Sequence, residues 1–226
     1  MSERPIRSYV LRQGRTTPAQ KRALEQLAPK YLVPFRGELI SGQALFGRTA
    51  PLVFEIGSGM GETTAAIAQA HPGVDFIAAE VHGPGVGSLL NRIESLQLRN
   101  LRVIRHDAME VLDGMIADAS LAAIHLFFPD PWPKKRHHKR RLVQPEFAAL
   151  AARKLAPGAA LHAATDWPDY ADHMDQVFSM EPLLEKAKAG LVSRPPTKFE
   201  ARGRRLGHPI RDLYWSRRGE RLPAGR

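Results

Sequence analysis

The chain has 226 residues, of which 43% are hydrophobic and 25% are charged, and it contains no cysteine. This composition fits one globular domain with extensions, and it excludes disulfides, thiolate nucleophiles and cysteine-based zinc sites. The longest nearly continuous apolar run, residues 121–128, is far shorter than the roughly 20 residues that span a bilayer. Because no apolar stretch follows the charged residues 1–7, a secretory signal is not expected. We therefore expect a cytoplasmic protein without a membrane segment.

The first predicted element is a flexible basic arm over residues 1–17, which show no apolar period. A short helix is expected over residues 18–27, with Pro29 stopping it. From residue 51 onward, short apolar runs alternate with amphipathic segments, as is typical of a parallel α/β sheet. Strands are predicted over 52–56, 74–79, 101–104, 121–128, 159–164 and 210–215, and helices over 62–70, 86–96, 143–155 and 170–178. Residues 18–216 then form a single domain, followed by a basic tail at 217–226.

The net charge of +10 is unevenly distributed along the chain. Residues 1–22 and 130–141 each carry +5, and residues 198–205 and 217–226 each carry +3. These four segments total +16, so the rest of the chain is mildly acidic at −6. Such segregation predicts that the termini and two internal loops face a polyanionic partner.

A glycine-rich turn follows the first predicted strand. Gly57, Gly59 and Gly61 let the backbone approach a ligand closely, at the point where the next helix offers free N–H groups. The turn alone does not discriminate between cofactors, because NAD and FAD proteins use a similar one.

Acidic residues stand at or just past the ends of five predicted strands, namely Glu55, Glu80, Asp107, Asp130 and Asp166. Because the carboxyl ends of parallel strands form one rim, we expect these side chains at one ligand site. Glu80 is placed to accept hydrogen bonds from both ribose hydroxyls, and Asp107 to accept one from an adenine amino group. An acidic rim disfavours a pyrophosphate and suits an adenosine cofactor with cationic groups. S-adenosylmethionine fits this description.

The segment 127–141 indicates the kind of reaction more specifically than any other part of the sequence. Two prolines flank Asp130 and stiffen its backbone, and six Lys or Arg residues follow within eight positions, 134–141. A fixed acid, Trp132 for stacking and a phosphate-binding run are what an enzyme acting on an extruded base needs. The adjacent His137 and His138 more often contact phosphate than metal in such a loop, so no metal site is predicted.

Five motifs together resemble the bacterial tRNA (guanine-N7)-methyltransferase family over about residues 45–216. They lie in order at 55–62, 80–87, 128–141, 165–167 and 194–203. The glycine loop is unspecific, whereas the proline-bracketed Asp130 with its basic tail and the Thr-Lys-Phe-Glu element at 197–200 are highly specific. The chain departs from the family pattern at Ala159-Ala160 and at Ser58, neither of which is an expected contact.

The resemblance implies a class I S-adenosylmethionine-dependent fold, a doubly wound, mostly parallel seven-stranded sheet with helices on both faces. It implies transfer of the methyl group to N7 of a guanosine in the variable loop of tRNA, with Asp130 as the catalytic residue. The implied cofactor-binding residues are Glu55, Gly57, Gly59, Gly61, Glu80, Asp107 and Asp130. The implied substrate-binding residues are Lys134, Asp166, Thr197, Lys198, Phe199 and Glu200. The implied RNA-binding residues are Arg136, His137, His138, Lys139, Arg140 and Arg141.

The residues themselves leave alternatives open. The sequence around Asp130 is also similar to the Asp-Pro-Pro-aromatic element of enzymes that methylate exocyclic amines. A non-catalytic RNA-binding protein is a second alternative, although the acidic rim would hinder RNA binding without a cationic cofactor, and a nicotinamide dehydrogenase is a third. The sequence decides neither between a monomer and a homodimer nor whether Asp130 or Asp166 contacts the guanine.

Overall fold

A mostly parallel sheet forms the centre of the protein. The structure is a computed structural model that describes residues 7–10, 14–195, 200 and 209–219. The strands in this part of the chain are β1 (Leu52–Ile56), β2 (Asp75–Ala79), β3 (Leu101–Ile104), β4 (Leu121–Phe127), β5 (Leu155–Thr165), β6 (Leu184–Lys186) and β7 (Arg211–Arg217). They form one sheet in the order β3-β2-β1-β4-β5-β7-β6, in which only β7 runs antiparallel to its neighbours β5 and β6. The predicted doubly wound seven-stranded sheet is confirmed.

Helices connect the strands. In the described ranges they are α1 (Pro18–Gln26), α2 (Ala28–Tyr31), α3 (Gly42–Phe46), α4 (Glu62–Ala70), α5 (Gly83–Ser95), α6 (Ala108–Met115), α7 (Pro145–Lys154) and α8 (Pro168–Met180), with a 3₁₀ helix at Lys135–Arg140. A proline in the first turn starts α1, α2, α5, α7 and α8, a position where its missing N–H costs no hydrogen bond. None of these helices is long and apolar enough to cross a membrane.

The two faces of the sheet bury separate apolar clusters, because successive strand residues point to opposite sides. Phe54 of β1 packs in one cluster with Phe147 of α7 and Tyr170 of α8. Val53, its neighbour in sequence, packs in the other cluster with Leu89 of α5. Helices therefore cover both faces, which leaves the carboxyl ends of the parallel strands as the accessible edge.

The structure differs from the sequence predictions at several boundaries. β5 begins at Leu155 rather than at residue 159, since Leu155 already pairs with Leu121 ahead of a register shift. Pro29 does not end α1 but lies in the first turn of α2. The elements α2, α3, α6 and β6 have no counterpart among the predicted ones.

The predicted chain ends also differ in detail. Thr17 belongs to the start of α1, where its side chain and that of Gln20 form a reciprocal capping box. Arg217, predicted as the first residue of the tail, is the last residue of β7, and its guanidinium donates to the carbonyl of Leu155 at 2.6 Å. Residues 220–226 lie outside the described residues.

Gly61 is predicted to be the most sensitive glycine of the loop after β1. Its φ is +75°, and a Cβ there would lie 2.6 Å from Cδ1 and 2.7 Å from Cβ of Leu89 on α5. Gly61→Ala should therefore lower the free energy of unfolding by about 1–3 kcal/mol through overpacking alone, with further strain from the left-handed backbone. Gly73→Ala is the matched control, because a Cβ there meets nothing within 4 Å. Equal urea midpoints for the two variants would contradict this account.

Candidate active site

A cavity of about 370 Å³ opens at the carboxyl edge of the sheet. Its wall includes Gly57, Glu80, Asp107 and Asp130, which follow β1, β2, β3 and β4 respectively. Open α/β sheets bind ligands at this edge, and the volume is typical of small-molecule sites. Four of the predicted cofactor residues thus lie around one cavity.

The glycine loop adopts a backbone that favours glycine at each of its three positions. The angle φ is +74° at Gly57, +55° at Gly59 and +75° at Gly61. A Cβ at Gly57 or Gly59 would meet nothing within 4 Å. The loop therefore presents bare backbone, as close approach of a ligand requires.

Glu80 joins this loop to the start of α5. Its Oε2 accepts from the backbone N–H of Gly59 at 2.7 Å, and its Oε1 accepts from that of His82 at 2.8 Å. The loop and α5 also approach closely, because a Cβ at Gly85 would lie 2.3 Å from the carbonyl oxygen of Gly59. Each carboxylate oxygen keeps a second lone pair, so the bracing role found here is compatible with the predicted ribose contact.

Glu55 is buried in β1, one residue before the cavity wall at Ile56. Thr64 of α4 donates to its Oε1 at 2.8 Å, and no described residue bonds to its Oε2. Burial raises the pKa of Glu55 to about 7, against the hydrogen bond from Thr64 and with a smaller contribution from Glu80. Burial therefore favours the protonated form of this predicted cofactor carboxyl.

Asp107 has two partners within the protein. Its Oδ1 accepts from the backbone N–H of Met109 at 2.8 Å and so caps α6. Tyr9 hydrogen-bonds to the same carboxylate, and the pKa of Tyr9 is raised by burial and then by Asp107. Ser8, Tyr9 and Val10 line the cavity, although the sequence places them in a free arm. Their only sequence signal is the short apolar run Tyr9-Val10-Leu11 within a polar segment.

The loop carrying Asp130 has an unusual backbone on both sides of the acid. Phe128 and Trp132 have φ values of +52° and +45°, which are costly for non-glycine residues and cluster at functional sites. The N–H of Phe128 donates to the carbonyl of Ala164 at 2.7 Å, and the indole of Trp132 donates to the carbonyl of Ser8 at 3.0 Å. Asp130 itself is exposed at the cavity mouth, and desolvation raises the pKa of its carboxyl.

The cationic run begins just beyond this loop as the 3₁₀ helix. The guanidinium of Arg140 lies 4.9 Å from the ring centroid of Trp132, and the ring of His137 meets the same indole edge-on at 5.9 Å. His138 lies 4.0 Å from a carboxylate oxygen of Asp169. The exposed cations, available to a polyanion, are Lys134, Lys135, Arg136, Lys139 and Arg140.

Arg141 departs from the predicted RNA-binding set, because its side chain is only 1% exposed. Its Nε donates to the carbonyl of Pro131 at 3.0 Å, and its Nη2 donates to Asp169. The guanidinium also lies 4.8 Å from the ring centroid of Tyr170. Arg141 therefore ties the Asp130 loop to α8 instead of facing an RNA phosphate.

The predicted substrate residues are only partly described. Asp166 follows β5 at the same edge of the sheet and is half-buried. Glu200 is buried, and its Oε2 accepts from Nη1 of Arg194 at 2.7 Å. Thr197, Lys198 and Phe199 lie outside the described residues. Across residues 7–10, 14–195, 200 and 209–219, no three His, Cys, Asp or Glu side chains are grouped as a metal site would require.

Comparison with solved structures defines the class of the fold. The structure superposes on the 16S rRNA methyltransferase KamB with a TM-score of 0.57 at 16% identity, covering 83% of this chain and 99% of that one. It superposes on the aminoglycoside resistance methyltransferase NpmB1 with a TM-score of 0.54 at 14% identity, covering 77% and 91%. The fold is that of the class I S-adenosylmethionine-dependent methyltransferases.

Sequence comparison then identifies the family. The protein family described as "Putative methyltransferase" matches residues 49–213. A tRNA (guanine-N(7)-)-methyltransferase of Nitrosomonas eutropha is 56% identical over 96% of this chain and 98% of its own length. That of Nitrosospira multiformis is 54% identical over 95% and 96%. The chain belongs to the tRNA (guanine-N7-)-methyltransferase family, as its motifs predict.

Burial of Glu55 predicts a specific pH dependence of stability. Between its ordinary pKa of 4.5 and about 7, the unfolded state releases the proton that the folded state keeps, so the free energy of unfolding falls as pH rises. Above pH 7 the penalty levels off at roughly 3 kcal/mol. Glu55→Gln keeps the shape and removes the penalty. In urea titrations without ligand, the free energy of unfolding of Glu55→Gln should therefore rise relative to that of wild type between pH 5 and pH 8. The exposed Glu38→Gln should show the same pH dependence as wild type.

A constant difference in the free energy of unfolding between Glu55→Gln and wild type from pH 5 to pH 8 would contradict this account, because it would mean that burial does not raise the pKa of Glu55.

Proposed function

We propose that the chain transfers a methyl group from S-adenosylmethionine to N7 of a guanosine in tRNA. The observation that carries this proposal is the position of Asp130, which lies between the acidic cavity at the sheet edge and the cationic 3₁₀ helix. The names of the relatives support the same reaction. We propose the variable loop as the site of methylation and the cytoplasm as the compartment.

The cavity residues fit the cofactor. Bare backbone at Gly57 and Gly59 leaves room for it, and the carboxylates of Glu80 and Asp107 offer acceptors for ribose hydroxyls and an adenine amino group. When bound, S-adenosylmethionine supplies an electrophilic methyl group on a sulfonium. The acidic wall favours such a cationic ligand over a pyrophosphate.

Guanine N7 carries an in-plane lone pair that is unprotonated near neutral pH, so the attacking atom needs no general base. Catalysis then consists mainly of alignment and of stabilising the positive charge that develops on the purine. Asp130 or Asp166 can accept from N1–H and the N2 amino group of guanine together, which adenine cannot offer. Hydrogen bonds at Phe128 and Trp132 restrain the backbone on both sides of Asp130 for this role.

The direct test is a methyl-transfer assay on total tRNA lacking this modification. Nuclease digestion and mass analysis should show 7-methylguanosine that depends on S-adenosylmethionine. A product methylated on an exocyclic amine would favour the alternative class of nucleic-acid methyltransferase, and absence of any product would contradict the proposal.

Asp130→Asn should keep the fold and lose turnover. The amide has the same shape, but it lacks the charge that stabilises the cationic ring. Losing such a preorganised contact costs about 2.7–4 kcal/mol in the barrier, which corresponds to a fall in kcat of about a hundred- to a thousandfold. Activity within threefold of wild type, at equal S-adenosylmethionine affinity by calorimetry, would show that the carboxylate is structural.

Lys139 and Arg141 form a matched pair for the RNA contacts. Lys139 is exposed, so Lys139→Ala should reduce the slope of log tRNA affinity against log salt by nearly one. Arg141 is buried among hydrogen bonds, so Arg141→Ala should instead lower the free energy of unfolding by about 1–3 kcal/mol. The reverse pattern, with a lower slope only for Arg141→Ala, would contradict the placement of tRNA on the 3₁₀ helix.

A further inference from the structure

Arg194 lies outside the cavity wall, but it hydrogen-bonds to Glu200, one of the predicted substrate-binding residues. Its Nε and Nη2 donate to Oδ1 and Oδ2 of Asp212, each at 2.8 Å, and its Nη1 donates to Oε2 of Glu200 at 2.7 Å. The side chain of Arg194 is only 7% exposed. All three guanidinium nitrogens are thus engaged in charge-assisted hydrogen bonds in a shielded position, where such bonds are strong.

Asp212 gives this arrangement a fixed anchor in the sheet. It lies on β7 opposite Ala164 of β5, and Nε2 of His162 donates to its Oδ1 at 2.7 Å. Burial acts to raise the pKa of Asp212, but the hydrogen bonds from His162 and Arg194 lower it to about 2. The carboxylate is therefore ionised at every working pH and held on two sides.

The same guanidinium packs against the base of the Asp130 loop. It lies 5.9 Å from the ring centroid of Phe127 and 5.4 Å from that of Phe128, within the range of cation–π attraction. Phe128 carries the left-handed backbone that leads directly into Pro129 and Asp130. A displaced Phe128 would therefore move the loop that bears the acid.

We propose that Arg194 is a positioning residue for methyl transfer. It holds both the Asp130 loop and Glu200, one of the predicted substrate-binding residues, on the Asp212 anchor. This inference rests on the proposed function. A planar guanidinium can serve all three partners at once, whereas a lysine is a point charge without the paired geometry. A misplacement of about 1 Å can cost on the order of a hundredfold in rate. Loss of the paired hydrogen bonds from the guanidinium should therefore lower kcat.

The test compares Arg194→Lys, Asp212→Asn, the double variant and wild type in 7-methylguanosine formation at saturating tRNA and S-adenosylmethionine. Arg48→Lys is the matched control. Arg48 also bonds to a buried aspartate, Asp75, but Asp75 is the first residue of β2 and lies at the end of the strand away from the cavity. We expect kcat to fall about ten- to a hundredfold in Arg194→Lys and in Asp212→Asn. Affinities for S-adenosylmethionine and tRNA should stay within twofold, and Arg48→Lys should keep the wild-type kcat.

The double variant should be no slower than the slower single variant, because both changes break one chain of contacts. Full turnover in Arg194→Lys, additive losses, or a parallel loss of cofactor affinity and turnover would overturn the positioning role. If Arg194→Lys does not melt like wild type, Asp212→Asn decides alone, and a kcat within twofold of wild type overturns the inference. If wild type and Arg48→Lys yield no 7-methylguanosine, the proposed function fails and this inference fails with it.

Discussion

The parallel register of the central strands is the constraint on which the site depends. Ile56 of β1 pairs with Ala79 of β2 on one side and with Leu126 of β4 on the other. The chain therefore leaves all three strands at nearly the same height, and the turns that follow meet at one cavity. A one-residue shift in the register of any of these strands would move its side chains to the opposite face of the sheet and displace the turn that follows it. The continuous burial of β1 and β2 on both faces makes such a slip costly.

The rigidity of the Asp130 loop comes from contacts that lie outside it. Left-handed backbone at Phe128 and Trp132 costs about 1–2 kcal/mol for each residue. Hydrogen bonds to β5 and to Ser8, together with the buried Arg141, hold the chain in that conformation. Since these restraints come from the sheet, the N-terminal segment and α8, the backbone on both sides of Asp130 is held to three parts of the domain. The proposed role of Asp130 in methyl transfer requires such preorganisation.

Local sequence predicted the buried strands and the acids that follow them, because apolar runs and turn residues are local signals. It did not separate Arg140 from Arg141, which are adjacent cations with opposite surroundings. That difference arises from Asp169 on α8, 28 positions along the chain from Arg141. The contact between Ser8 and Trp132 spans 124 positions, and the short edge strand β6 exists only because β7 returns beside it. No helix is predicted at α6, although the carboxylate of Asp107 caps its first turn as an N-cap residue does.

The order of charges along the chain is compatible with the proposed approach of tRNA to an acidic cavity. Carboxylates line the cavity, and the exposed cations begin four residues after Asp130, at Lys134. In the proposed complex, RNA phosphates are attracted to the 3₁₀ helix and repelled from the cavity, whereas an uncharged base meets no such repulsion. In this proposed complex, an extruded guanine projects away from its own backbone and reaches Asp130 while the phosphates remain on the cations. The guanidinium of Arg140 lies 4.9 Å from the ring centroid of Trp132, so the cationic helix contacts the loop that carries Asp130, and the proposed backbone contacts lie beside the proposed base contact.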